Sequence, residues 1–500
     1  MRQAFSRRMA IFFTNIRHYI MKRILLPLLM LASLSAMQAQ VNHSANYPDD
    51  QKRDIYAEQQ AETNPIIVQR LDEWKDLKFG FMVHWGPYSQ WGVVESWSIC
   101  SEPWISRNGA NYMTYVQNYW NLNRTFKPNK FDANRWAKVA ADAGMKYVVF
   151  TTKHHDGFCM FDSKYSTYTI ANKDCPYSKN TNNDITRDVV ESFRAKGFWT
   201  GLYFSKPDWH CPDYWAPEWA TPDRNVNYDP TEHPDRWKRY VDFTFNQIYE
   251  LTHNYGAIDI LWLDGGWIRP EWSINDETRP WLGCQGYVQD VNMPRIARMA
   301  RENIPDLLIV DRSVGGKYEN YTTPEKQVPD VYMAEPWETC MTMGDSWSWV
   351  KDDNYKSANT LVHILCDVVC KGGNLLLNVG PDANGELPDP AVQRLKEIGR
   401  WMKVNSECIY STRPASPYST GRWRFTQSKD GKVVYAIYLL DEGETMPEVV
   451  DLPRLSREPL SARLLDKSKV RMRQEGDHYQ LFVQPKEASH AVVFRLVMEK

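Results

Sequence analysis

The side chains of this sequence that could do chemistry are few in type: carboxylates at the ends of apolar runs, two adjacent histidines, an arginine and many indoles. The run "AIDILWLDGGW" (257–267) is the plainest case. Successive side chains of a strand alternate between faces, so Trp262 and Asp264 share one face while Leu261 and Leu263 share the other. Gly265 and Gly266 then permit a tight turn, as at the C-terminal end of a strand, where parallel α/β folds build their sites. A plainer alternative has Asp264 capping a following helix, but "WIRPEW" begins no helical apolar pattern. In "TTKHHDGF", His154, His155 and Asp156 are residue types that ligate metals. Neighbours on a strand point apart, however, no HExxH-like spacing accompanies them, and neutral histidines donate equally well to hydroxyl groups.

These groups need elements to position them. Seven β-rich runs, at 79–85, 146–154, 199–205, 257–264, 306–312, 331–337 and 374–380, alternate with helical patterns. In "FDANRWAKVAADAG", Trp136, Val139, Ala140 and Ala143 share a helical face, with Asp132 placed to cap the start and Gly144 to stop the end. Near-continuously apolar strands alternating with helices predict an α/β fold with a parallel sheet covered on both faces. Seven such strands favour a closed (β/α)8-type barrel, residues 41–411, over an open sheet, although an eighth strand is not evident. From 412 to 500, strand-like runs broken by "KDGK", "DEGE" and "QEGD" predict a C-terminal antiparallel β-sandwich. Read at each strand end, the sequence delivers His84, Trp85, His154, His155, Asp156, Tyr203, Asp264, Arg312, Glu335 and Trp337 to one face of the barrel. That set lacks a Ser or Cys nucleophile constellation and a glycine-rich phosphate loop.

The first 40 residues stand outside the fold. Residues 21–40 have a basic start, a short apolar core and small residues near a cleavage point, which reads as a secretory signal at about 21–39, with residues 1–20 an upstream extension. The apolar stretch is too short to span a bilayer, so a secreted or periplasmic product is expected. Removing the six basic residues of that segment from the 60 leaves 54 against 62 acidic side chains, a balance that argues against nucleic acid as a partner. Nine scattered cysteines without CxxC pairs do not form a disulfide framework; Cys366 and Cys370, one helical turn apart, read as free and buried. The 21 Trp and 27 Tyr supply faces on which sugar rings stack, besides filling cores.

Six ordered motifs, "KFGFMVHWGPYS", "KYVVFTTKHHDGF", "GLYFS", "WLDGGW", "YTTPE" and "LLLNVGPDANGELP", resemble the α-L-fucosidases of glycoside hydrolase family 29, over about residues 65 to 415. The resemblance implies an irregular barrel with a C-terminal β-sandwich and a retaining exo-glycosidase that needs no metal and no other cofactor. It also implies site residues: Asp264 as nucleophile, His84, His154 and His155 as ligands of the sugar hydroxyls, Tyr203 near the nucleophile, Trp262 in the pocket wall, Arg312, and Trp347 facing the fucose methyl group. The family's Glu-Trp pair falls either on Glu95 with Trp97 or on Glu102 with Trp104. A retaining enzyme needs a second carboxyl group about 5 to 5.5 Å from the first. The family's short T-x-E context points to Glu325, with Glu319 and Glu338 as alternatives and Glu335 close by.

The expected activity is hydrolysis of terminal α-L-fucosyl residues from an oligosaccharide or glycoconjugate. The rival expectations are a same-fold enzyme preferring an L-fucose-like galactoside, and a barrel that binds sugar without turnover.

Overall fold

The computed structural model describes residues 41–48, 53–102, 104–107, 109–219, 223–476, 478–484 and 490–499. The signal segment therefore lies outside the described residues. Residues 41–48 hold one 3-10 turn, His43–Asn46, and belong to a unit separate from the body that begins at residue 49. Among the described residues, no helix is long and apolar enough to cross a membrane.

Seven parallel strands form one sheet: β1 (Phe79–Val83), β2 (Tyr147–Lys153), β3 (Trp199–Ser205), β4 (Ile260–Asp264), β5 (Leu308–Asp311), β6 (Glu338–Thr342) and β7 (Asn374–Val379), in the order β5-β4-β3-β2-β1-β7-β6. Helices precede most of them, and the expected caps form: Asp132 accepts from the Arg135 amide, and Gly144 adopts φ +92° just past the helix end. Strands β1, β2 and β7 are buried along their whole length, as largely apolar runs covered on both faces must be, and the more polar β6 is buried with them. Phe79, Phe81, Val83, Val148 and Phe150 face the helices, whereas Met82, Tyr147, Val149, Tyr203 and Trp262 fill the interior.

One expected strand is displaced. Residues 331–337 are irregular, and β6 starts at Glu338. Pro336 lacks the N–H a central ladder requires, and Val331 is exposed. Glu335 and Trp337 consequently precede β6 instead of ending it. Trp337 is a core residue whose indole donates to the Lys371 carbonyl (3.2 Å).

The missing eighth strand has a physical counterpart. Between β5 and β6 runs an irregular stave, residues 319–326. It is held to Val310 by a bridge at Glu319, to Trp337 by one at Thr322, and to Cys340 by one at Glu325. Its side chains still alternate: Tyr321 enters the interior, stacked on Trp74 at 4.0 Å, while Thr323 and Glu325 line the cavity above.

The C-terminal part is a sandwich of a five-stranded and a three-stranded antiparallel sheet. Its strand Val433–Leu439 is buried on both sides: Val433, Tyr435, Ile437 and Leu439 pack on the barrel's helices, and Val434 and Ala436 face the smaller sheet. The barrel and the sandwich therefore share one apolar core along this strand.

Candidate functional site

The C-terminal ends of the strands surround a cavity of about 410 Å³. Asp264, the last residue of β4, lies in its wall beside Trp262, the pairing that strand alternation requires. Gly265 follows with φ +93°, and a Cβ there would lie 2.3 Å from Pro207 Cδ, so the turn after β4 admits only glycine. Beneath this turn Lys206 donates to Asp311 (2.5 Å) and to the Ile268 carbonyl (2.7 Å), tying the ends of β3, β4 and β5 together.

Asp264 is set up as a carboxylate. Its Oδ1 accepts from Arg312 (3.1 Å) and its Oδ2 from the Tyr203 hydroxyl (2.7 Å). Burial alone would raise its pKa, but the Arg312 guanidinium and the Tyr203 hydroxyl outweigh that and hold it well below the ordinary carboxylate range. Arg312 is shared: Nη1 donates to Asp264, Nη2 donates to Glu325 Oε2 (2.6 Å), and Nε donates to Thr323 (3.1 Å). Glu325 Oε1 also accepts from the Trp347 indole (3.2 Å), and its side chain is 45% exposed at the mouth.

Three histidines line the wall beside Asp264, each oriented through Nδ1: His84 by Asn378 (2.8 Å), His154 by Ser96 (2.6 Å) and His155 by Ser205. Burial lowers their pKa values, that of His84 to about 4 and that of His155 to about 3, so they are neutral and their second ring nitrogens can donate to or accept from a hydroxyl. His154, His155 and Asp264 bring three potential ligand atoms within 4.8 Å of one another. A cation placed there would compete with the guanidinium already bound to Asp264. Asp156 is elsewhere, buried against the Tyr119 hydroxyl (2.6 Å).

The other named residues separate cleanly. Trp347 lies 5.0 Å from His84, ring to ring, in the cavity wall. Of the two Glu-Trp candidates, Glu95 and Trp97 line the cavity, and burial raises Glu95 to about 7. Glu102 and Trp104, the other pair the resemblance offered as substrate-binding, do not line it: Glu102 pairs with Arg224 (2.8 Å), and Trp104 is 57% exposed behind Trp97. Glu319 is also removed from the cavity, because both its oxygens accept backbone amides, from Ser313 (2.8 Å) and Gly315 (2.7 Å). Glu335 lines a separate cavity beside residues 59–75.

Glu338 lies in β6, fully buried below the site, where it accepts from Tyr147 (2.6 Å) and from the Trp262 indole (3.2 Å). Burial raises its pKa to about 7. A carboxyl whose folded value exceeds its unfolded one stabilises the protein fully below about pH 4.5 and loses that contribution as pH rises through 7. Glu338→Gln cannot titrate. Its stability relative to the parent should therefore rise by on the order of a few kcal/mol between those pH values, read as the difference in Tm across the range. A pH-independent difference would contradict the assignment.

Several contributors went unnamed in the sequence. Asn378 is the penultimate residue of β7, close enough to the strand end for the same rule to have found it; its amide also donates to the Trp347 carbonyl (2.7 Å). Arg224, Trp267 and Trp281 come from long loops after β3 and β4, where no periodicity marks them.

A family model described as Alpha-L-fucosidase matches residues 47–407. The α-L-fucosidase of Dictyostelium discoideum is 29% identical over 394 residues, covering 74% of this chain and 78% of its own. The plasma α-L-fucosidase of Homo sapiens is 28% identical over 395 residues, covering 75% and 77%. Among solved structures, α-L-fucosidase isoenzyme 1 from Paenibacillus thiaminolyticus superposes with a TM-score of 0.71 at 30% identity, over 87% of this chain and all (100%) of that one. A Bacteroides thetaiotaomicron α-L-fucosidase, trapped as a covalent intermediate with 2-fluoro-fucosyl fluoride, superposes with a TM-score of 0.68 at 24% identity, over 88% and 98%.

Proposed function

Because the chain belongs to the α-L-fucosidase family of glycoside hydrolases, we propose that it is a retaining exo-enzyme removing terminal α-L-fucosyl residues from oligosaccharides or glycoconjugates outside the cytoplasm. The observation that carries this reading is the Arg312 bridge, in which one guanidinium reaches Asp264 with Nη1 and Glu325 with Nη2. Two carboxyl groups on one guanidinium suit the short separation of a retaining pair better than the wider gap, about 6.5 to 9.5 Å, that an inverting pair needs for water.

In the first half-reaction Asp264, ionised and aligned by Tyr203 and Arg312, attacks the anomeric carbon while Glu325 protonates the departing oxygen. In the second, Glu325 as carboxylate takes a proton from water, which displaces Asp264 from the sugar. The hydrogen bonds from Trp347 and Arg312 fix the position of the Glu325 carboxyl at the cavity mouth. Neutral His84, His154 and His155 supply hydroxyl contacts, and Trp262 supplies an apolar face.

The test is release of a chromogenic phenol from an aryl α-L-fucoside, run beside the corresponding aryl galactoside, with and without EDTA. The fucoside should be cleaved in preference, and chelation should leave the rate unchanged. Loss of activity with EDTA and recovery with zinc would turn His154, His155 and Asp264 into a metal site.

A further inference from the structure

Trp281, in the loop after β4, lines the mouth of the cavity yet leaves 40% of its surface exposed. The indole is backed by a built support. The Arg269 guanidinium lies 5.1 Å from its ring centroid, and Arg269 is itself buried, donating to the carbonyls of Gly266 (2.5 Å), Ser273 (3.0 Å) and Ser313 (2.5 Å). A Cβ on Gly266 would lie 3.2 Å from the indole, so the ring rests directly on the turn that follows the nucleophile. An exposed aromatic face held in one place loses little freedom when a ligand covers it.

Arg224 lies on the same rim. A Cβ on Gly283, two residues beyond Trp281, would lie 2.1 Å from Asp223 and 2.9 Å from Asn225, so the two loops meet on either side of Arg224. Its guanidinium lies over Trp97 (4.8 Å) and Trp267 (5.2 Å), and Nε donates to Glu102 (2.8 Å). That pairing balances its charge while leaving further N–H donors on the fork.

We infer that Trp281 and Arg224 form a subsite for the sugar on the leaving-group side, resting on the glycosidase reading above. The ligand class is a neutral pyranose: its C–H face stacks on Trp281 and its hydroxyls accept from Arg224. Because Glu102 already neutralises the guanidinium, an anionic sugar is not required.

The experiment compares kcat/KM on α-L-fucosyl fluoride, whose leaving group has no ring, with kcat/KM on a fucosyl disaccharide. Trp281→Ala should lose about tenfold more on the disaccharide than on the fluoride, the scale of one aromatic stack. Trp281→Phe, which keeps a flat face, should recover most of that difference. Equal losses on the two substrates, or no loss on the disaccharide, would overturn the subsite. A parent enzyme that cleaves neither substrate would overturn the glycosidase reading, and the subsite with it.

Discussion

Replacing Asp264 by Ala or Gly should lower turnover on the order of 10³-fold or more, because the covalent step has no other nucleophile at that position. The folded protein should survive the change: Asp264 is the last residue of β4, its neighbours in the strand carry the packing, and Arg312 keeps Glu325 and Thr323 as partners. Circular dichroism and Tm would register a collapse if it occurred. Azide, small enough to enter the space left by the carboxylate, should restore part of the rate and yield a fucosyl azide of opposite anomeric configuration. A variant with near-parental turnover would remove Asp264 from the mechanism.

The second large effect concerns Glu325 and depends on the substrate. A phenol of low pKa departs without help, but a sugar alcohol must be protonated as it leaves, a contribution of about 10² to 10⁴-fold. Glu325→Ala should accordingly lose most of its activity on a fucosyl disaccharide and much less in the fucosylation step from an activated aryl fucoside. The basic limb of the pH profile should flatten with it. Glu319 and Glu338 provide the contrast: the first is held by two backbone amides and the second is sealed below the cavity floor. If Glu338→Gln or Glu319→Gln produced the leaving-group dependence and Glu325→Ala did not, the acid/base would belong to that residue.

The sequence was most legible where the backbone is most regular. Parallel ladders repeat every two residues and end at a common level, so Asp264, Tyr203, His84 and the His154–His155 pair could be assigned to one rim from strand ends alone. Where the ladder fails, the reading failed with it. The apolar "VYM" of 331–333 imitated a strand, but Pro336 and the bridges to the preceding stave shift β6 to Glu338. The choice between Glu95 and Glu102 turns on a long excursion between β1 and β2 whose path local pattern does not encode; burial of Glu95 against the Ser348 amide (3.0 Å) decides it in space. Arg224 and Trp281 owe their positions to contact between two loops, visible only in three dimensions.

The stave that closes the barrel has an evolutionary consequence. In a laddered strand, inserting one residue turns every later side chain to the opposite face, so length there is almost frozen. The segment carrying Glu325 is pinned at only a few bridges, and the chain between them can absorb a gain or loss of residues while the neighbouring ladders keep their register. Asp264, with β3 and β5 on either side, has no such latitude. The two carboxylates proposed as the catalytic pair are thus under different constraints: Asp264 is locked to its address by the ladders on either side, and Glu325 sits on a segment whose length can change without disturbing them.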